Sequence, residues 1–415
     1  MEVSYIQTKD LLNKYGVSNV TVTKWITETL AGKTGIKYEM VGKRCRFFDI
    51  PENWFILDNL GTLAVNKRNL IFKEETEPNK EFYSLFNNDE ILEIVRDLEV
   101  RNMINVKFAY RGAGANYWDH FYKENYGGVR YEVPIWTEEV LEYYLKLVIA
   151  KLSEYDEINV IDLGCGNGKP IIKFLSKLKQ IVPVKRYIAV DISQQLLDIA
   201  KKNVQEAVPG LEYFTFQKDL EKDRLGEIFA TGREDGKKVI NLIAILGVLL
   251  PNTYDAEIIL KNIQKNMDAN DILLVDGLKN RPENNFNLTY VNADNKDTSI
   301  AGFKLWIAKS LGINTDMCEY VSAYDEIHSQ KISYIILDKD YHITFSLKNS
   351  QRVSVVLKKK SKLILWFAFQ TNPDSYNTIL NKANFNLVDT LALPNDMHFI
   401  VSAKPKETRV KNSFQ

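Results

Sequence analysis

Cysteine is scarce in this chain: Cys45, Cys165 and Cys318 are the only three among 415 residues, odd in number and far apart. That spacing builds neither a disulfide framework nor a thiolate zinc site, and it fits a reducing compartment. The histidines, His120, His328, His342 and His398, are equally scattered and lack metal-ligand spacing. Charge of one sign is also missing. Lys plus Arg and Asp plus Glu both total 54, which excludes a global field for nucleic acid or an anionic membrane and leaves such partners to local patches. No apolar stretch approaches the ~20 residues of a membrane span. The opening MEVSYIQTKDLLNKYG lacks the basic head and apolar run of a secretory signal. A cytoplasmic protein with no membrane partner and no metal is expected.

What is present is enough apolar material for more than one core, with 45% hydrophobic and 26% charged residues. Composition and rhythm divide the chain into a small module at 1–60, a linker and first helix at 61–94, a helical lid segment at 95–157, an α/β core at 158–278, an antiparallel substrate-binding insertion with closing strands at 279–403, and a polar tail at 404–415. In the first module TKDLLNKY reads as a helix. VTVTKWITETL reads as a second helix with Val22, Trp25, Ile26 and Leu30 inward, and two short strands follow around Gly42-Lys43. This order resembles the winged helix-turn-helix modules of the excisionase and MerR class. The resemblance puts Thr21, Thr23, Lys24 and Thr27 on a groove-facing helix and Lys43, Arg44 and Arg46 on a wing. Phosphate neutralisation dominates nucleic-acid affinity, and this stretch has eight basic residues against seven acidic over Met1–Asp58. DNA binding through residues 1–60 and an accessory or oligomerisation role therefore stand as equal readings.

From Ile158 the strand-like runs INVIDLG, YIAVDIS, EYFTFQKDL, VINLIAILG and DILLVDG alternate with amphipathic helical stretches, the pattern of a doubly wound, Rossmann-like parallel α/β sheet. After Leu278 the rhythm breaks. FKLWIAKSLG looks helical, and ISYIILD, HITFSL, RVSVVLK and KLILWFAFQ read as antiparallel hairpins joined by DKDY, KNSQ and KKKSK.

The first core strand delivers Gly164, Gly166 and Gly168 to a helix beginning near Pro170, a strand-turn-helix whose bare backbone and free N–H groups suit a ligand lying close. A dinucleotide fingerprint needs its third glycine at position 169, which is Lys169. With Asp162 just before the loop, the spacing instead resembles motif I of class I S-adenosylmethionine-dependent methyltransferases. That resemblance implies S-adenosylmethionine as cofactor, with Asp162, Gly164, Gly166 and Gly168 around it. Asp191 and Ile192 end the second strand where a ribose diol is held, and Asp219 and Leu220 follow the third where this fold recognises adenine.

A narrower resemblance runs over about residues 95–405. FAYRGAGANYWDHFY, YEVPIWTEEVLEYY and NLIAILGVLLPN are similar, in order, to segments of the histidine-specific methyltransferase of ergothioneine biosynthesis. Phe108, Tyr110, Arg111, Gly112, Tyr131, Thr137, Glu138, Gly247 and Asn252 fall at matching places. The match implies Gly247 beside the cofactor, Tyr110 and Tyr131 positioning the substrate for catalysis, and Phe108, Arg111 and Asn252 binding it. The departures are informative. Trp136 replaces an arginine, and LILWFAFQ, with Trp366, stands where a Glu-Val-Ser strand grips histidine. A small-molecule amine, amino acid or aromatic acceptor other than histidine is expected, with Trp136 and Trp366 in its site. The alternative is a DNA-associated regulator, or a nucleic-acid or protein methyltransferase recruited through the winged helix. WDHFYKE offers Asp119, His120 and Glu124 as a base cluster or, equally, as a solvated helix face.

Overall fold

A computed structural model describes residues 4–15, 19–58, 60, 75–125, 133–233, 236–247, 249–278, 299–348, 350–369, 371–394 and 398–406. The chain forms two compact units, Met1–Glu75 and Thr76–Gln415.

In the first unit α1 (Thr8–Tyr15) and α2 (Asn19–Leu30) precede a hairpin of β1 (Tyr38–Val41) and β2 (Arg44–Phe47), and residues 51–58 are helical. Leu11, Val22, Trp25, Ile36, Phe47 and Leu57 make its core. Asn53 is fully buried and ties this helical segment to the hairpin's flanks, its amide donating to Lys37 O and Phe48 O while its Oδ1 accepts from Lys37 N. Leu30, expected inward, is exposed: it sits in the last turn of α2, where Lys33 N donates to Glu28 O and the chain turns off the core.

The second unit begins with α3 (Lys80–Leu85), α4 (Asn88–Arg101), a 3-10 turn at Val106–Tyr110, α5 (Ala113–Asn125) and α6 (Val133–Leu152). Then come β3 (Glu157–Leu163), α7 (Lys169–Ile181), β4 (Val184–Asp191), α8 (Gln194–Ala207), β5 (Glu212–Gln217), α9 (Gly226–Ala230), β6 (Val239–Ile245), a 3-10 turn at Leu250–Asn252, α10 (Ala256–Gln264) and β7 (Ile272–Leu278). After α11 (Ser299–Ser310) follow β8 (Glu319–Asp325), β9 (Gln330–Ile336), β10 (Tyr341–Ser346), β11 (Arg352–Leu357), β12 (Lys362–Phe369), α12 (Pro373–Lys382), β13 (Phe385–Ala392) and β14 (His398–Pro405).

Seven strands form the central sheet in the order β13-β14-β7-β6-β3-β4-β5. β14 is antiparallel to both its neighbours, while β7, β6, β3, β4 and β5 run parallel. Central β3 is buried at every position, as a strand covered on both faces must be, whereas edge strand β5 is half-exposed along its length. α7 shows why the helices lie on this sheet: Ile171, Phe174, Leu175 and Leu178 recur at helical spacing and are buried together. The polar residues that interrupt the apolar strands satisfy one another at the strands' beginnings. Arg186 meets Glu157 at 2.7 Å, Asn159 donates to Asn241, and Asn241 in turn donates to Asp271.

The strands after β7 differ from the expected chain of hairpins. Of the four expected runs only β10 and β11 pair with each other as consecutive strands of a hairpin. β9 pairs with β12 and with β8, a strand, EYVSAYD, that the sequence pattern did not reveal. The register explains the choice, because it sets Ile335 opposite Leu363, both fully buried in a second core with Ile94, Leu98 and Leu305.

Candidate active site

A cleft opens at the carboxyl ends of β3, β4, β5 and β6, where the sheet's order reverses between β3 and β6. In a doubly wound sheet this is where strand-end loops separate and a ligand finds room. Of the residues singled out from the sequence, Tyr110, Asp162, Gly164, Gly166, Asp191, Ile192, Asp219, Leu220, Gly247 and Asn252 line it.

The glycine loop is built for close approach. Gly166 has φ +53°, and a Cβ there would meet nothing nearer than Trp118 Nε1 at 3.7 Å, so its open side faces the cleft. Gly168 serves packing instead: at φ +71° a Cβ there would stand only 3.1 Å from the side chains of Ala200 and Val204 of α8, and it does not line the cleft. Asn167 locks the loop from outside, donating to Asp119 of α5 at 3.1 Å and accepting from Lys169 N. Asp119 thus turns inward while His120 and Glu124 form an exposed pair, so the three residues do not make one base cluster. The Cys165 thiol is buried and pushed well above its ordinary pKa by that burial, which leaves it no nucleophile.

Two carboxylates define the floor. Asp191 accepts from Gly166 N at 3.0 Å and Ser193 N at 2.9 Å, yet burial outweighs these donors and pushes its pKa up to about 6. Asp162 accepts the Tyr187 hydroxyl at 2.6 Å, and burial pushes it up to about 7. At the β5 end Asp219 is held on two sides, by Lys107 Nζ at 2.8 Å and by Glu221 N at 3.0 Å. Lys107 also meets Glu93 at 2.7 Å and Glu221 at 3.1 Å. Burial works to lower its pKa, but the carboxylates hold it above the usual lysine range. One ammonium therefore fastens the 3-10 turn Val106–Tyr110 to the loop after β5, a link with no signal in the sequence.

The opposite wall is aromatic. Tyr110 packs against Trp118 at 5.6 Å and Phe303 at 4.8 Å, and Trp118, Tyr122 and Thr137 line the cleft. Burial, then the nearby Asp191 charge, raises the Tyr110 pKa above its ordinary value, while a hydrogen bond with Asn252 lowers it. The Asn252 Oδ1 is buried and has no hydrogen-bond partner among the described residues.

Four residues expected at the substrate wall do not line this cleft. Phe108 is fully buried edge-on to Phe86 in the second core. Arg111 is drawn away by Glu90 at 2.8 Å and Leu85 O at 2.9 Å. Trp136 is buried in the core beside Val140 and Leu141. Trp366 has its ring covered by the Lys304 ammonium, 4.7 Å from the centroid, so an aromatic face counted as available for a ligand is already occupied. Tyr131 lies outside the described residues.

A doubly wound sheet with a glycine loop at its switch point and a buried acid at the next strand end defines the class of protein as one that binds a nucleotide cofactor. The sequence profile described as "Histidine-specific methyltransferase, SAM-dependent" matches residues 89–404, most of the chain, and the chain belongs to that family. It is a methyltransferase dependent on S-adenosylmethionine. No curated protein matches it. Among solved structures it is similar to a S-adenosylmethionine-dependent methyltransferase from Clostridium acetobutylicum, at 11% identity over 70% of this chain and 98% of that one, with a TM-score of 0.36. It is also similar to magnesium protoporphyrin IX methyltransferase from Synechocystis, at 13% identity over 72% and 98% of the two chains and a TM-score of 0.38. No helix among the described residues is long and apolar enough to cross a membrane.

Proposed function

We propose that the enzyme methylates a nitrogen of a small amine or amino acid other than histidine, in the cleft between Asp191 and the Tyr110–Trp118 wall. The observation that carries this reading is Asn252 Oδ1: a buried acceptor without a partner, beside Tyr110, wants an N–H from outside the chain. The aromatic wall supports it, since ring faces attract a cationic ammonium. Bound S-adenosylmethionine supplies an electrophilic methyl on a sulfonium. The cleft residues then act by position: Asp191 takes the ribose hydroxyls, Gly164 and Gly166 offer bare backbone, and Asp162 and Gly247 stand near the methionine end. Ile192, Leu220 and Asp219 face the adenine end, where Asp219 shares its charge with Lys107. Tyr110 and Asn252 orient the acceptor nitrogen so that its lone pair meets the methyl carbon in line. Transfer would form the C–N bond as the C–S bond breaks, with the electron pair left on sulfur, and the acceptor nitrogen, neutral when it offers its lone pair, would lose its proton to water.

The order of α1, α2 and the β1–β2 hairpin supports an accessory winged helix in residues 1–60. The comparisons give no support to a DNA-associated regulator. The test is a mass-spectrometric screen for a gain of one methyl on a panel of amines and amino acids, histidine included. The reading expects turnover on a non-histidine amine that drops on the order of a hundredfold in Asn252→Ala, the loss from one buried hydrogen bond to a charged group. Turnover on histidine alone would overturn it.

A further inference from the structure

The end of β7 carries a buried polar cluster that the sequence did not disclose. Asp276 is 1% exposed, and His398 and Thr137 are fully buried. A single oxygen, Asp276 Oδ2, collects three groups: the Thr137 hydroxyl donates at 2.9 Å, Gly247 N–H donates at 3.1 Å, and His398 Nε2 lies at 3.1 Å. The Asp276 carbonyl accepts the Tyr376 hydroxyl at 3.0 Å. His398 turns Nε2 to the carboxylate, and its Nδ1 has no hydrogen-bond partner among the described residues. The cluster therefore joins α6, the loop after β6, β7 and β14, elements far apart in sequence.

Removing a carboxylate from water costs several kcal/mol, and here the groups gathered on one oxygen offset that cost, which fixes them in turn. Two of its three partners, Thr137 and Gly247, line the cleft. The Thr137 hydroxyl proton is already given to Asp276, which leaves Thr137 only oxygen lone pairs to offer a ligand. Gly247, at φ +73°, has open space where a Cβ would stand.

The strand order says which part of a ligand arrives there. Asp219 lies after β5, Asp191 at the end of β4 and the glycine loop after β3, with Gly247 after β6 and Asp276 on β7 next along the sheet. A nucleoside anchored by its base and ribose at the first two positions directs its amino-acid end toward the last two. We propose that Asp276 and His398 are positioning residues that fix Thr137 and Gly247 to receive the α-ammonium of the methyl donor. The proposal rests on the reading of the cleft with the ribose at Asp191.

The test compares two ligands by calorimetry: S-adenosylhomocysteine, and 5′-methylthioadenosine, which keeps the nucleoside and sulfur but lacks the amino-acid end. Thr137→Val is expected to weaken S-adenosylhomocysteine by on the order of tenfold, about 1.4 kcal/mol, and to change 5′-methylthioadenosine by less than about twofold. Thr137→Ser restores the wild-type value, and Asp276→Asn reproduces the Thr137→Val pattern. If Asp276→Asn does not fold, the two Thr137 variants decide alone. Equal weakening of both ligands, or no weakening of S-adenosylhomocysteine by Thr137→Val, overturns the proposal. Failure of the wild type to bind either ligand, or unchanged affinity for both in Asp191→Asn, overturns instead the underlying placement of the nucleoside.

Discussion

Asp191 makes the cofactor affinity of this enzyme depend on pH, with a sign and size that its surroundings fix. Burial pushes its carboxyl up to about 6, so at pH 5 about nine empty sites in ten carry a proton there. A ribose diol donates its hydroxyls and needs the ionised form. Binding at pH 5 must therefore first remove that proton, at a cost of about 1.4 kcal/mol, or about tenfold in the dissociation constant. Affinity for S-adenosylhomocysteine is expected to tighten as pH rises from 5 and to level off above about 7. Asp162, pushed to about 7 first by burial and in part by the Asp191 charge, adds a slope of its own, most of which the ratio of wild-type to Asp191→Asn constants removes. That ratio should move about tenfold between pH 5 and pH 7.5.

Folding responds with the opposite sign. The folded apoenzyme keeps a proton that the unfolded chain releases near pH 4, so stability falls as pH rises from about 4 to about 6, by about 3 kcal/mol from this one group. Saturating ligand should flatten that fall. A ratio that stays constant across the pH range, measured by calorimetry, sinks the assignment of the ribose to Asp191.

Gly168→Ala should lower the melting temperature through a loss of about 1–3 kcal/mol, because the residue sits at φ +71° against α8, while the ligand affinity of the folded fraction stays near wild type. Lys107→Met leaves Glu93, Asp219 and Glu221 without their shared counter-ion and should destabilise by about 3 kcal/mol, with partial recovery in Lys107→Arg. Hydrogen exchange across residues 105–110 checks this second expectation: the turn should open faster in Lys107→Met, and unchanged protection there refutes the fastening role.

The core was legible because its signals are local. A buried strand, three glycines, a helix start and an acid at the next strand end all lie within about thirty residues of one another, and each states its own geometry through φ angles and periodicity. Asp191, Gly164 and Gly166 could be placed by that logic, and they line the cleft. The substrate wall was less legible. Phe108 and Arg111 adjoin Tyr110 in sequence, but a 3-10 turn ends there, and successive side chains leave it in different directions. Of these three, Tyr110 reaches the cleft, while Phe108 enters the second core and Arg111 meets Glu90. A tryptophan such as Trp366 reads as an aromatic surface until the fold sets Lys304 over it.

By itself, then, the sequence determined the alternation of strand and helix, the loop that a close-lying ligand requires, and the carboxylate after it, since backbone conformation and burial pattern act over a few residues. Tertiary structure alone decided that β9 joins β12, that Lys107 binds three acids, and that Thr137, Gly247, Asp276 and His398 converge on one oxygen. Those meetings depend on how separate elements share a core, 29 residues apart for Gly247 and Asp276 and 139 for Thr137 and Asp276, and no local propensity encodes that.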